Sequence, residues 1–254
     1  MDCDRDSHRA RHHRLHLQVI ADAEASPLTT KSGSMRVLIM GPPASGKGTH
    51  GKRLAVSLGL DYLSTGALLR KNMEQKTPLG LAAAPILARG GYLPDHLMSP
   101  ILGDWLENHK DGSGWVLDGF PRSLPQAEFL DNKLNENGSG VDAAIALEVP
   151  FSELIHRIRD RVECTECRWT GQRDQLAHDG KCPICAHPAG PRADDDEENF
   201  RKRHAAFEFN TLPVIARYRA SGKLISIFAT LPKDQVAAAI LNALRPQSEP
   251  STES

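Results

Sequence analysis

The chain has 254 residues, 25% of them charged and 40% hydrophobic, with a formal net charge of −1. That is the balance of a globular protein of one domain, or one domain carrying insertions. Near-neutrality excludes a broad electrostatic footprint for nucleic acid, although local basic clusters still suit small phosphorylated ligands; no apolar run approaches the ~20 residues that cross a bilayer, so no membrane partner is expected.

Residues 1–34 differ from the rest. His8, Arg9, Arg11, His12, His13, Arg14 and His16 make a basic arm, followed by a polar Ser, Thr and Gly stretch, and the segment reads as disordered. A transit peptide and a weak metal-binding tract are the alternatives; Asp2, Asp4 and Asp6 depart from the acid-poor signature of the first. Residues 246–254 also read as unstructured, which leaves 35–245 as the folded domain.

That domain opens on the apolar run Val37 to Met40, a short buried strand, which feeds directly into Gly41-Pro42-Pro43-Ala44-Ser45-Gly46-Lys47-Gly48-Thr49. Two glycines separated by four residues, with lysine after the second, form the Walker A spacing. Small residues let backbone N–H groups converge on phosphate oxygens, and the lysine reaches the terminal phosphates. A helix predicted over 47–58 adds its positive end. Gly48 stands where Ser or Thr usually follows the lysine, and the hydroxyl arrives one place later as Thr49.

The pattern continues with a short strand near Tyr62-Leu63, helices between Thr65 and Arg89, and a helix near 97–109. The strand Trp115 to Asp118 follows, then a helix from about 124, the strand Ala143 to Glu148 and a helix from Phe151. A long helix from about 197, the strand Leu224 to Phe228 and a last helix over 233–244 complete the chain. Strands alternating with helices predict an α/β fold with a parallel sheet covered by helices. Asp118, at the end of its strand, places a carboxylate beside the phosphate loop, where an oxygen ligand can hold Mg²⁺ through water; capping of the next turn is its plainer role. Arg122 supplies a fork of donors suited to phosphate. Arg157 and Arg161, four apart on one helix, are either phosphate ligands or a solvated face.

Between about 164 and 196 the alternation is interrupted. Cys164 and Cys167, then fourteen residues, then Cys182 and Cys185 have the paired-knuckle form of a Cys₄ zinc site, with two disulfides as the alternative. Four thiolates complete a tetrahedron and leave no position for water, so the metal is expected to be structural. His178 and His187 lie close enough in sequence to replace a ligand, but four cysteines make that unnecessary. The fifth cysteine, Cys3, lies alone in the arm. This is not the distribution of a secreted disulfide scaffold, and the chain reads as cytoplasmic.

The motifs in series resemble the adenylate kinase family. They are the GPPASGKGT loop, Leu63-Ser64-Thr65-Gly66 with Leu69-Arg70, Gly90-Gly91-Tyr92-Leu93-Pro94-Asp95, Leu117 to Arg122 with Gln126, and Arg192-Ala193-Asp194-Asp195 with Arg203. The likeness covers about residues 35–244. It implies a P-loop NTPase fold with a parallel five-stranded sheet flanked by helices, an inserted AMP-binding helical segment at about 64–93 and a zinc-bearing lid at about 162–196. The implied reaction is reversible phosphoryl transfer from MgATP to AMP, giving two ADP, by a monomer whose partners are nucleotides.

By the same resemblance Lys47, Asp118, Arg122, Arg161, Arg192 and Arg203 surround the reacting phosphates. ATP is met by Gly41 to Thr49, Arg157, Arg161 and Leu231. AMP is met by Thr65, Gly66, Arg70, the Tyr92, Leu93 and Pro94 backbone, Gly119, Phe120, Arg122, Gln126, Arg192 and Arg203. So many arginines make physical sense, because phosphoryl transfer depends on positioning and charge stabilisation. A glutamine amide offers the donor and acceptor that an adenine edge requires.

Three positions depart from the family pattern: Ala67 where an acid usually helps organise magnesium waters, His50 where a glutamine is usual, and Val162 where a second arginine is common. Lower Mg²⁺ affinity and one positive charge fewer near ATP are the expected consequences. A GTP-using AMP kinase is the nearest alternative, and the zinc knuckles with the basic arm leave a nucleic-acid-binding adaptor as one of another class. The basic residues are not interleaved with aromatics, as stacking platforms for bases require.

Overall fold

A computed structural model describes residues 35–109, 114–192 and 195–245. The disorder expected of the arm and of the tail falls outside these residues, as does Cys3. In chain order the elements are β1 (Arg36–Met40), α1 (Lys47–Leu58), β2 (Asp61–Ser64), α2 (Thr65–Glu74), α3 (Pro78–Leu87), α4 (Asp95–Glu107), β3 (Trp115–Asp118), α5 (Leu124–Asn135), β4 (Ala143–Glu148) and α6 (Phe151–Asp160). There follow β5 (Arg161–Cys164), β6 (Thr170–Gln172), β7 (Ala189–Pro191), α7 (Glu197–Ala206), α8 (Leu212–Ala220), β8 (Leu224–Phe228) and α9 (Lys233–Leu244).

The five apolar runs of the sequence form one parallel sheet in the order β2-β3-β1-β4-β8. Leu38 and Met40 face one apolar cluster, with Leu117, Ala144 and Ala146, while Val37 and Ile39 face the other, with Val116, Ile145 and Ile240. Burial on both faces is why these strands read as continuous apolar runs instead of alternating ones. From β1 the chain goes to one side for β2 and β3 and to the other for β4 and β8. The crevice at the carboxyl end of β1 is therefore the switch point of the sheet, and the register sets Ile39 beside Asp118 there.

Side-chain caps start several helices. Ser64 Oγ accepts from the Ala67 amide, Thr77 Oγ1 from Gly80, and Ser123 Oγ from Gln126. Helices α2 and α3 pack so closely that a Cβ added at Gly80 would stand 2.1 Å from the Asn72 carbonyl oxygen. The helix predicted near 97 begins two residues earlier, at Asp95, directly after Pro94.

The long helix expected from 197 is broken by a π turn over Phe207–Thr211, in which the Leu212 amide bonds to the Phe207 carbonyl. Pro213 has no N–H with which to continue an α ladder, and the extra residue absorbs the mismatch. One consequence is that Thr211 Oγ1 donates to the Arg122 carbonyl at 3.0 Å.

The cysteine segment forms its own antiparallel sheet, ordered β6-β5-β7. Among the described residues, no helix is long and apolar enough to cross a membrane.

Candidate active site

The loop after β1 folds back over its own lysine. Lys47 Nζ donates to the Gly41 and Pro42 carbonyls at 2.8 and 2.7 Å. Burial lowers its pKa to about 7; the negative charge of Asp118 resists this, while Arg122, Arg203 and Arg161 press it further down. Four sequence-predicted residues from three segments, 118–122, β5 and α7, thus share one electrostatic field around Lys47. Ser45 is fully buried beneath the loop, and its hydroxyl has no partner among the described residues.

Asp118 is buried, and its Oδ2 accepts from the Tyr62 hydroxyl at 2.9 Å. Burial and the neighbouring carboxylate hold that phenol protonated, so it remains a donor. The sequence reading missed Tyr62, whose only signal is its place in the strand that pairs with β3. Asp118 also lies close to α1: a Cβ on Gly48 would stand 3.6 Å from its Oδ2. The carboxylate, with the Thr49 hydroxyl two residues after Lys47, offers the oxygen donors that Mg²⁺ takes.

On the other side of Asp118, Gly119 has a φ of 83°, and a Cβ there would come within 2.6 Å of Thr65 Oγ1 and 2.8 Å of Arg122 Nη2. Only glycine leaves room for both side chains. Arg122 uses the space to donate from Nε to the Gly119 carbonyl at 2.7 Å, and its guanidinium lies 4.6 Å from the centre of the Tyr92 ring. Thr65 donates to the Asp118 and Gly119 carbonyls at 3.3 and 3.0 Å. Arg70 lies within electrostatic reach of Tyr62. Thr65, Tyr92, Gly119 and Arg122 therefore converge, with Arg70 close by.

Gln126 is buried and already engaged at both ends. Its Oε1 accepts from the Arg122 amide at 2.8 Å and its Nε2 donates to Asp95 at 2.7 Å. Gln126 is therefore no solvated surface residue, and Asp95, which the sequence offered only as a motif neighbour, anchors it. Leu93 and Phe120 lie in the apolar core, so any contact of theirs with a ligand is through backbone.

The remaining arginines divide. Arg161, 13% exposed, makes a two-pronged ion pair with the buried Asp195. Arg192, also largely buried, faces Glu163 with Nε 3.3 Å from Oε2. Arg157 does not join the Lys47 group: its Nε bonds Glu153 and its Nη2 donates to the Ala229 carbonyl at 2.7 Å, beside the loop that carries the exposed Leu231. His50 is buried on this side, and burial together with Arg53, Arg157 and Lys233 lowers its pKa to about 4, so it is neutral at physiological pH.

The Adenylate kinase family profile matches residues 39–223. The adenylate kinase of Thermosipho africanus is 38% identical over 213 residues, covering 83% of this chain and all of that protein. Those of Streptomyces avermitilis and Lachnospira eligens are each 36% identical, over 83% of this chain and 97% and 100% of their own lengths. The chain belongs to the adenylate kinase family. It is an enzyme of that family, and the activity that membership supports is phosphoryl transfer between ATP and AMP; neither the GTP-using nor the nucleic-acid-binding alternative is favoured.

This kinase also brings its four clustered cysteines together. Their Sγ atoms all lie within 4.8 Å of one another, with Cys164 and Cys185, and Cys167 and Cys182, each 3.5 Å apart. Four sulfurs bound at about 2.3 Å to one tetrahedral ion stand about 3.8 Å apart, so the donor set fits zinc. All four are free thiols, which sets aside the disulfide alternative. Burial opposes ionisation of Cys164, but amide donation from Cys167 and Glu166, together with hydrogen bonds from the Cys185 and Cys167 thiols, outweighs it and brings that thiol down to about 6. The His187 ring is turned to the Cys185 carbonyl, away from a ligand position.

Proposed function

We propose that this adenylate kinase transfers a phosphoryl group from MgATP to AMP in the crevice at the switch point, between a donor half built on Gly41 to Thr49 and an acceptor half built on residues 64–93. The observation that carries the reading is the convergence of Arg122, Arg161 and Arg203 on the buried Lys47 amine. Cations that share one electrostatic field repel each other, and a run of phosphates is the ligand that relieves the repulsion.

In this reading Lys47 leaves its two loop carbonyls for the donor's phosphates, and the loop amides from Gly41 to Thr49 orient them. Asp118 and the Thr49 hydroxyl are the oxygen donors that would hold Mg²⁺, which would supply charge neutralisation for the phosphates when bound. The Tyr62 hydrogen bond holds the Asp118 carboxylate in place for it. Arg122 sits at the junction of the halves with Arg192 and Arg203, stabilising charge on the transferred group. The convergence of Thr65, Tyr92 and Arg122, with Arg70 close by, supports placing AMP there with Gly66, Leu93, Pro94, Gly119 and Phe120. Gln126 has one N–H and one lone pair left for an adenine edge. Arg157 and Leu231 flank the donor base on the β8 side.

Residues 162–196 act as the lid, with zinc on Cys164, Cys167, Cys182 and Cys185 as its structural metal. Closure excludes water that would otherwise accept the phosphoryl group. Four free thiols fit a reducing compartment, in keeping with a cytoplasmic enzyme, which we take to be a monomer.

ADP formation tests the reading directly. With AMP as acceptor, ATP is expected to give a higher kcat/KM than GTP; with ATP as donor, AMP is expected to exceed UMP and CMP by at least about 10²-fold. Comparable rates with UMP would overturn the acceptor site.

A second test uses the lysine. A pKa of about 7 leaves Lys47 mostly neutral at pH 8.5, and bound phosphates favour its ammonium form. Nucleotide binding at that pH is expected to take up close to one proton, seen calorimetrically as a binding enthalpy that changes with the ionisation enthalpy of the buffer. An enthalpy independent of buffer would contradict it.

A further inference from the structure

Starting from Arg192 and leading away from the nucleotide cluster, four charged side chains form a continuous line from the lid to the acceptor half. Arg192 Nε lies 3.3 Å from Glu163 Oε2, and Glu163 Oε1 is 3.1 Å from Arg168 Nη1. The other prong of the same guanidinium, Nη2, pairs with Glu74. Glu163 is in β5 and only 8% exposed, so its charge is tolerable only because two guanidinium groups face it. Glu74 is the last residue of α2, in the segment assigned to AMP. Arg168 follows Cys167 and holds a φ of 60°. A non-glycine residue there is strained, so something must fix it. The cysteine cluster on one side and the two carboxylates on the other are the groups in place to do so.

We propose that Glu163 and Arg168 are positioning residues for the phosphoryl transfer: Glu163 orients Arg192 within the lid, and Arg168 ties that pair to Glu74 on the acceptor segment. The orientation of Arg192 is thus built within the lid, while the tie to Glu74 forms only when the lid has met the AMP-binding helices. This makes lid closure and acceptor binding cooperate, because Arg168 holds the lid's Glu163 with one prong and reaches Glu74 of the acceptor segment with the other only when the two adjoin. The inference rests on the assignment of residues 162–196 as lid and 64–93 as AMP segment.

The Arg168 to Glu74 end of the line is half-exposed, at 45% and 49%, and such pairs are weak and salt-sensitive. Arg168→Gly and Glu74→Gln are each expected to raise KM for AMP about two- to fivefold with kcat little changed. The double variant is expected to be no worse than either single one, since both remove the same contact. Glycine accepts a φ of 60°, but Arg168→Gly also strips one guanidinium from the buried Glu163 and is expected to melt lower, whereas Glu74→Gln spares both partners of Glu163 and should melt as the wild type. Raising the ionic strength should increase KM for AMP in the wild type more than in either variant. Glu163→Gln, which keeps the shape and removes the charge, is expected to lower kcat about tenfold or more by loosening Arg192.

Hydrogen exchange of the wild type with both nucleotides bound separates the two layers of inference. If AMP does not protect residues 64–93, the underlying assignment fails. If that protection appears but the Arg168 and Glu74 variants keep the wild-type KM, or their effects add, the tie is wrong. An unchanged kcat in Glu163→Gln overturns the orienting role of Glu163.

Discussion

Lys47→Met is expected to lower kcat for ADP formation by at least about 10² to 10³-fold, the scale seen when one preorganised charge-stabilising donor is removed, with KM for AMP nearly unchanged. Lys47 is the buried centre of the cationic group: Asp118, Arg122, Arg161 and Arg203 all act on its charge. Methionine matches its length and is at ease in a buried place, so it deletes the ammonium and little else. Stability provides the control that separates lost chemistry from lost folding. Folding lowers the lysine pKa from about 10.4 to about 7, so between these values the unfolded chain binds more protons and the wild type gains stability as pH rises. Near neutral pH the buried lysine is a cost that the variant lacks. Lys47→Met should therefore melt no lower than the wild type at pH 7, and its melting temperature should rise less between pH 7 and 9. Turnover within about tenfold of wild type would sink the assignment of Lys47 to the transferred phosphates.

The second large effect is expected from the cysteine cluster. Its sheet consists of strands of three and four residues, β5, β6 and β7, and Cys164 and Cys182 are its buried anchors. So small a unit buries too little apolar surface to fold by itself, and a structural metal would supply the missing free energy. If only about 2–3 kcal/mol of that couples to the rest of the domain, metal removal lowers the melting temperature by roughly 5–10 °C. Cys182→Ser is expected to do the same permanently, whereas a strong chelator acts reversibly and added zinc restores the wild-type curve. Arg161 opens β5 and Arg192 directly follows β7, so turnover should fall with stability. Identical melting curves with and without chelator would show that the thiols fold the segment unaided. A metal analysis finding no zinc in protein that still melts normally would do the same.

The small effects are informative for a different reason. Exchanging Arg168 or Glu74 tests whether two halves that never adjoin in sequence act as one, and the expected change in KM is modest because water competes for the pair.

Much of this enzyme was legible in its sequence. The GPPASGKGT loop after an apolar strand, the acid ending Trp115 to Asp118, and the cysteine pairs are local patterns whose chemistry depends on spacing along the chain, and spacing is what a sequence records. The parallel sheet was equally legible, because strands buried on both faces must be apolar throughout. The strands of the cysteine segment were not: three residues such as Ala189 to Pro191 carry no periodicity, and they hold their shape by pairing with β5. The π turn at Phe207–Thr211 was hidden too, since its cause, Pro213, looks in sequence like an ordinary helix start.

What only the tertiary structure decided is partnership. Tyr62 on Asp118, Asp95 on Gln126, Asp195 on Arg161 and Glu163 on Arg192 join residues from different elements or from opposite ends of the cysteine segment. A sequence names the charges but not which of them face each other. Electrostatic energy falls with distance and rises with burial, and both are set when the sheet, helices and cysteine segment pack together.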